Sequence, residues 1–98
     1  MSDFSELDKR LDFERRNLII NNVREEVQHA IEDFPPMRSA HEGFAIIKEE
    51  VDELWDAIKD NKNRDVLDVH NEARQVAAMA VRFMLDIHEG NFRNERRG

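Results

Sequence analysis

The stretch Glu49-Glu50-Val51-Asp52-Glu53-Leu54-Trp55-Asp56-Ala57-Ile58-Lys59 (EEVDELWDAIK) decides the fold class. At about 100° per residue, Ile46, Glu50, Glu53 and Ala57 recur at i, i+4, i+7 and i+11, which is one stripe of a helix. Phe44, Ile47, Val51, Leu54 and Ile58 form a second, wholly apolar stripe, predicted to face the core. Glu50 lies roughly 80° and Glu53 roughly 140° from the centre of that stripe, so the glutamates sit on a separate flank that needs a partner of its own. The later segment HNEARQVAAMAVRFM repeats the arrangement, with Glu72 inside the seam Val69, Val76, Met79 and Phe83. Moving an isolated carboxylate out of water costs several kcal/mol or more unless it is paired or binds a metal. Glutamates converging from two such seams therefore predict a cation site.

Working outward, the pattern is helical almost throughout. Glycine and proline are scarce, both prolines stand together at Pro35-Pro36, and no stretch alternates apolar and polar residues as a strand requires. The fold class is all-α. Leu7, Leu11, Leu18, Ile20, Val23, Val27, Ala30 and Ile31 keep roughly helical spacing before the prolines, which end this first helix near Asp33 because the residue before a proline is pushed out of the α region. Ser39-x-x-Glu42 is a capping box that starts a second helix near Ala40, running to about Lys59. A short polar connection, Asp60 to Asn63, then favours an antiparallel hairpin with a third helix from about Asp65 to Glu89, closed by Gly90. Residues 1–90 form a single domain, and the tail 91–98, with Arg93, Arg96 and Arg97, reads as mobile and basic.

Size and composition bound the rest. A domain of 98 residues buries only about 60% of its unfolded surface, and one short N-terminal helix cannot cover both remaining faces of the hairpin. Self-association into a bundle of four or more core helices, as a dimer or a dimer of dimers, is expected. Without cysteine there is neither a disulfide framework nor a thiolate zinc site, so any metal takes oxygen or nitrogen ligands. No apolar run approaches the roughly 20 residues of a membrane span, and MSDFSELDKR lacks the blocks of a signal peptide, so the expected location is the cytoplasm. A formal charge of −7 argues against a nucleic-acid polymer as partner, since such binding rests on a basic patch.

The stripes can be read as chemistry. An antiparallel third helix brings Glu72 opposite Glu50 and Glu53, with Asp68 and Gln75 one turn to either side of Glu72 on the same face. Three or four oxygen donors between two helices suit a hard ion such as Mg²⁺, with Mn²⁺ as the alternative, that keeps open positions for water and phosphate. Glutamate pairs at i, i+3 are also common on solvated helix faces, and the apolar flanks are what set this pair apart. Other residues carry weaker signals. Glu49, at the rim of the site, is a candidate for orienting a ligand or water, with a solvated role the plainer account; Lys48, Arg64, Arg74 and Arg82 are candidates for holding phosphate oxygens, each equally explained by ion pairing on a helix surface. Glu26-x-x-His29 is the carboxylate–histidine unit of di-iron bundles, but it occurs once. Trp55 and Phe44 offer faces for a nucleobase, with core or dimer interface the plainer account. Asn17, Asn21 and Asn22 read as a polar face, and Met79 and Met84 as core filler.

The order of E-x-x-E on one helix and E-x-x-D on the next resembles the signature of the all-α nucleoside triphosphate pyrophosphohydrolases, the MazG-like group that includes dimeric dUTPases and phosphoribosyl-ATP pyrophosphohydrolases. Glu50-Val-Asp-Glu53 matches the first half and Glu72-Ala-Arg-Gln75 aligns with the second, with Gln75 where the motif has aspartate. Flanks such as SAHEGFAIIKEEVDELWDAIK extend the resemblance over about Phe34 to Leu85. The resemblance implies hydrolysis of a nucleoside triphosphate to monophosphate and pyrophosphate, Mg²⁺ as cofactor, Glu50, Glu53 and Glu72 as catalytic metal ligands, and a house-cleaning role. Gln75 and Asp68 are further ligand candidates, and no substrate-binding residue is assigned. The competing class is a non-catalytic helical interaction protein with a weakened site.

Overall fold

The computed structural model of the chain describes residues 2–60 and 66–92, with side chains from residue 5 onward. These residues form three helices and no strand: α1, Ser2–Asp33; α2, Ala40–Lys59; and α3, Val66–His88. The all-α expectation holds, and the bounds of α2 are those that the capping box and the polar connection predict.

Local chemistry explains each boundary. Phe34 N–H still reaches Ala30 C=O at 3.0 Å, but the prolines that follow have no N–H with which to continue α1. At the start of α2, Ser39 is extended (φ −156°, ψ 161°) and its Oγ accepts Glu42 N–H at 3.0 Å. Glu42 reaches back to Arg38 N–H at 2.9 Å, one residue beyond the serine N–H that the capping box predicts. Gly90 ends α3 in the left-handed region (φ 75°), donating to Ile87 C=O at 3.1 Å while Asn91 N–H reaches Asp86 C=O at 2.9 Å. That pair of bonds is a Schellman motif, and it satisfies two carbonyls that the helix end would otherwise leave bare.

The central element is α3. It packs on both α1 and α2, while α1 and α2 stay apart from each other. The α2/α3 pair is antiparallel: Gly43 meets Phe83 near one end, and Glu50 and Glu53 meet Glu72 further along. Gly43 sets the distance. A Cβ there would overlap the edge of the Phe83 ring and come within 3.2 Å of Met37 Sδ, so glycine alone permits this approach. Phe92 continues the cluster, its ring standing edge-on to Phe83 at 5.2 Å. Arg93, Arg96 and Arg97 of the predicted mobile tail lie outside the described residues, as does the connection 61–65.

A buried ion pair ties α1 and the proline linker to α3. Arg82 and Asp86, 4% and 2% exposed, are the buried charged side chains among the described residues. Arg82 Nη1 donates to Ala30 C=O at 2.6 Å and Nη2 to Phe34 C=O at 3.1 Å, at the C-terminal end of α1 where the helix dipole favours a cation. Its Nε lies 3.3 Å from Asp86 Oδ2, and the same oxygen accepts Met37 N–H at 2.9 Å. Asp86 Oδ1 accepts Asn91 Nδ2 at 3.3 Å. Arg82, weighed equally as a phosphate holder and as a surface ion pair, instead spends its guanidinium on the fold in a buried pair.

The predicted core stripe of α2 is corrected as well. Phe44 is 65% exposed, Val51 43% and Ile58 36%, with Ile47 and Leu54 half-buried. The flank carrying Gly43, Ile46, Glu50 and Ala57 is the better covered one, because Gly43 lets α3 approach on that side. Within the chain the small core is Val27, Ala30, Met37 and Ala78. From Ser5 to Asn21 the side chains of α1 are all exposed, Leu7, Leu11, Leu18 and Ile20 included.

Candidate metal centre

The antiparallel packing of α3 on this flank brings the glutamates together. Glu50, Glu53 and Glu72 each offer a carboxylate oxygen, and these oxygens all lie within 4.8 Å of one another. The i, i+3 spacing on α2 stacks Glu50 and Glu53 one turn apart, and the antiparallel run of α3 delivers Glu72 against them. Glu50 and Glu72 are half-buried, and Glu53 is exposed. Burial, then the neighbouring Glu53 and Glu72 carboxylates, lift Glu50 from 4.5 to about 7. Glu72 Oε2 is buried and has no hydrogen-bond partner. A buried carboxylate oxygen left bare is costly, and like charges at this spacing repel. A divalent cation held among the three oxygens would offset both costs. A set of oxygen donors open to solvent on one side fits a hard ion that retains waters.

Two depressions flank this cluster. On one side Glu53 and Glu72 border, with Asp56, Asp68 and Asn71, an open groove of about 390 Å³. On the other side Glu50, Glu49 and Gln75 line a cleft of about 510 Å³ that reaches the proline linker. Asp68 and Gln75, the two further ligand candidates, thus fall on opposite sides of the cluster. Asp68 stands outside the trio of close carboxylates. Sequence reasoning passed over Asp56 and Asn71, although Asp56 extends the E-x-x-E run by one further i+3 step and Asn71 directly precedes Glu72.

The other candidates have structural employment. Lys48 pairs with Asp52 at 3.1 Å. Arg74 Nε lies 3.6 Å from Glu26 Oε1, joining α3 to α1 and occupying the carboxylate of the Glu26-x-x-His29 unit. Trp55 is 55% exposed under Lys59 Nζ at 5.6 Å, and neither it nor Phe44 lines the cleft or the groove. Arg64 lies outside the described residues. Comparison of the chain with protein-family models, with curated proteins and with solved structures gives no match in any of the three.

Proposed function

We propose that the chain is a Mg²⁺-dependent nucleoside triphosphate pyrophosphohydrolase of the MazG-like all-α kind, releasing a nucleoside monophosphate and pyrophosphate and clearing unwanted nucleotides from the cytoplasmic pool. The observation that carries this reading is the trio Glu50, Glu53 and Glu72, with Glu72 Oε2 buried and unpartnered. Glu50, Glu53 and Glu72 would hold the cation between α2 and α3. When bound, the ion offsets triphosphate charge and makes a coordinated water more acidic. A water attacking the α-phosphorus would form the new P–O bond, break the α–β anhydride bond and release pyrophosphate, its proton passing to solvent. Glu49, next to Glu50 and lining the cleft, would orient the water. Gln75 brings a carbonyl but no charge, so the three glutamates carry the electrostatics.

Self-association belongs to the same reading. The exposed stripe of α2 and the uncovered length of α1 carry large apolar side chains that a second copy would bury by symmetric closure into a bundle of four or more helices. Those faces are also what the competing class, a helical interaction protein with a weakened site, would use. A pyrophosphate-release screen over standard and damaged nucleotides with Mg²⁺ and Mn²⁺ separates the two. Turnover lost in Glu53→Gln and Glu72→Gln supports the enzyme. Absence of turnover, together with no calorimetric binding of Mg²⁺ or a non-hydrolysable nucleotide, supports the interaction protein.

A further inference from the structure

The N-terminal length of α1 runs clear of the rest of the chain. From Ser5 to Asn21 it extends about 24 Å at 1.5 Å per residue, and every side chain along it is exposed. A helix in water gains most of its stability by packing an amphipathic face, so this arm needs a cover. Leu7, Leu11 and Leu18 share one stripe, at the i, i+4 and i+11 spacing of a coiled-coil seam. The face of α1 that packs on α3, marked by the buried Val27 and Ala30, lies roughly 150° away round the helix. The leucines therefore point away from α3, and α2 stays apart from α1 altogether. No element among the described residues covers them.

The charges beside the stripe point to the occupant. Asp8 and Arg15 flank the leucines on one side, Arg10 and Glu14 on the other. A two-fold antiparallel pairing lays each flank against the same flank of the partner. With the axis close to Asp12, Leu11 meets the partner's Leu11 and Leu7 the partner's Leu18, while Asp8 meets the partner's Arg15 and Arg10 the partner's Glu14. These four contacts agree in register to within about 2 Å along the helix. A parallel pair would set Arg10 against the partner's Arg15, a like-charge contact. Asp8, Arg10 and Glu14 carry no ion pair among the described residues, whereas Lys48 with Asp52 and Lys59 with Asp56 are already closed within α2. Asp12, nearest the axis, is held by Arg15 of its own helix at 2.8 Å, and that guanidinium keeps further N–H groups for Asp8. We infer that the α1 arms of two copies pair antiparallel about Leu11, through a contact separate from the one the α2 stripe makes, so that the two contacts together build a dimer of dimers. The pairing rests on the self-association proposed above and not on the metal centre.

The chain has no cysteine, so single cysteines in the full chain report the register. Leu7, Leu11 and Leu18 are exposed, and replacing them leaves the core intact. A disulfide needs Cα atoms within about 7 Å. Under mild oxidation Leu11→Cys should link to its own copy. Leu7→Cys and Leu18→Cys, offset from their own copies by roughly 14 and 19 Å along the axis, should link only when the two variants are mixed. Sedimentation equilibrium should show the parent as a tetramer. Arg10→Glu sets like charges against the partner's Glu14 twice and should raise the tetramer–dimer dissociation constant about tenfold, and Arg10→Glu/Glu14→Arg should restore it. An assembled parent in which Leu11→Cys does not link, a parent that stops at a dimer, or Leu7→Cys linking to its own copy overturns the arm pairing and leaves assembly through α2 standing. A monomeric parent overturns the pairing together with the self-association. Linking through Leu11 in a chain whose melting curve ignores Mg²⁺ upholds the pairing and removes the metal centre alone.

Discussion

Glu50→Gln should make the metal-free fold more stable and abolish its response to Mg²⁺. The three carboxylates lie within 4.8 Å of one another, which gives three repelling pairs. At that distance a fully ionised pair costs about 0.9 kcal/mol in water-like surroundings and about 3.5 kcal/mol at an effective dielectric near 20. Glutamine removes two of the three pairs. Because Glu50 is only half-buried and Glu53 is exposed, the gain belongs near the low end, about 2 kcal/mol. For a domain of this size that corresponds to a rise of about 8–16 °C in melting temperature. The assay is thermal unfolding at pH 8.5, above the value of about 7 at which Glu50 titrates. Mg²⁺ at a hundred times its Kd should add about 2.7 kcal/mol to the parent and nothing to the variant. A metal-free variant that melts below the parent, or one that keeps the Mg²⁺ response, would refute the idea that these carboxylates are held together against repulsion for a cation.

The remaining predictions concern pH, the buried pair, close packing and assembly. Glu50 titrates higher in the folded chain than its ordinary value of 4.5, so the folded state holds the proton more tightly. Its contribution to stability is fully present below about 4.5 and is lost as pH rises through about 7; saturating Mg²⁺ should flatten that decline, and a metal-free profile that instead climbs over this window counts against the cluster. Arg82→Met strips Asp86 of its cation and leaves the Ala30 and Phe34 carbonyls short of donors, so denaturant titration should show a loss of about 3–5 kcal/mol, whereas a loss below about 1 kcal/mol would mean the pair does not tie α1 to α3. Gly43→Ala should cost about 1–3 kcal/mol because its methyl overlaps the Phe83 ring, and Phe83→Leu in the same chain should recover part of that loss. Sedimentation equilibrium should find a dimer or tetramer at micromolar concentration, and Trp55→Glu on the exposed α2 stripe should shift it toward monomer; a compact parent monomer contradicts the assembly.

Local chemistry made much of the architecture legible in the amino-acid order alone. Pro35-Pro36, the Ser39-x-x-Glu42 box and Gly90 mark helix ends by removing donors, supplying a cap or tolerating the left-handed backbone, and such effects reach only a few residues along the chain. The convergence of Glu50, Glu53 and Glu72 was readable for the same reason: helical spacing aligns the first two, and a short connection makes the next helix antiparallel. Tertiary structure decided that, within the chain, the apolar stripe of α2 is left uncovered while the glutamate flank meets α3. Hydropathy favours Phe44, Val51 and Ile58, yet the backbone approach at Gly43 turns the glutamate flank inward and leaves those side chains exposed, a matter of shape that residue type does not encode. It also decided the role of Arg82. Along the sequence it is one more cation on a helix, and only the arrival of the Ala30 and Phe34 carbonyls beside Asp86 makes it a buried cap, because those groups stand some fifty residues away and meet it through packing rather than spacing.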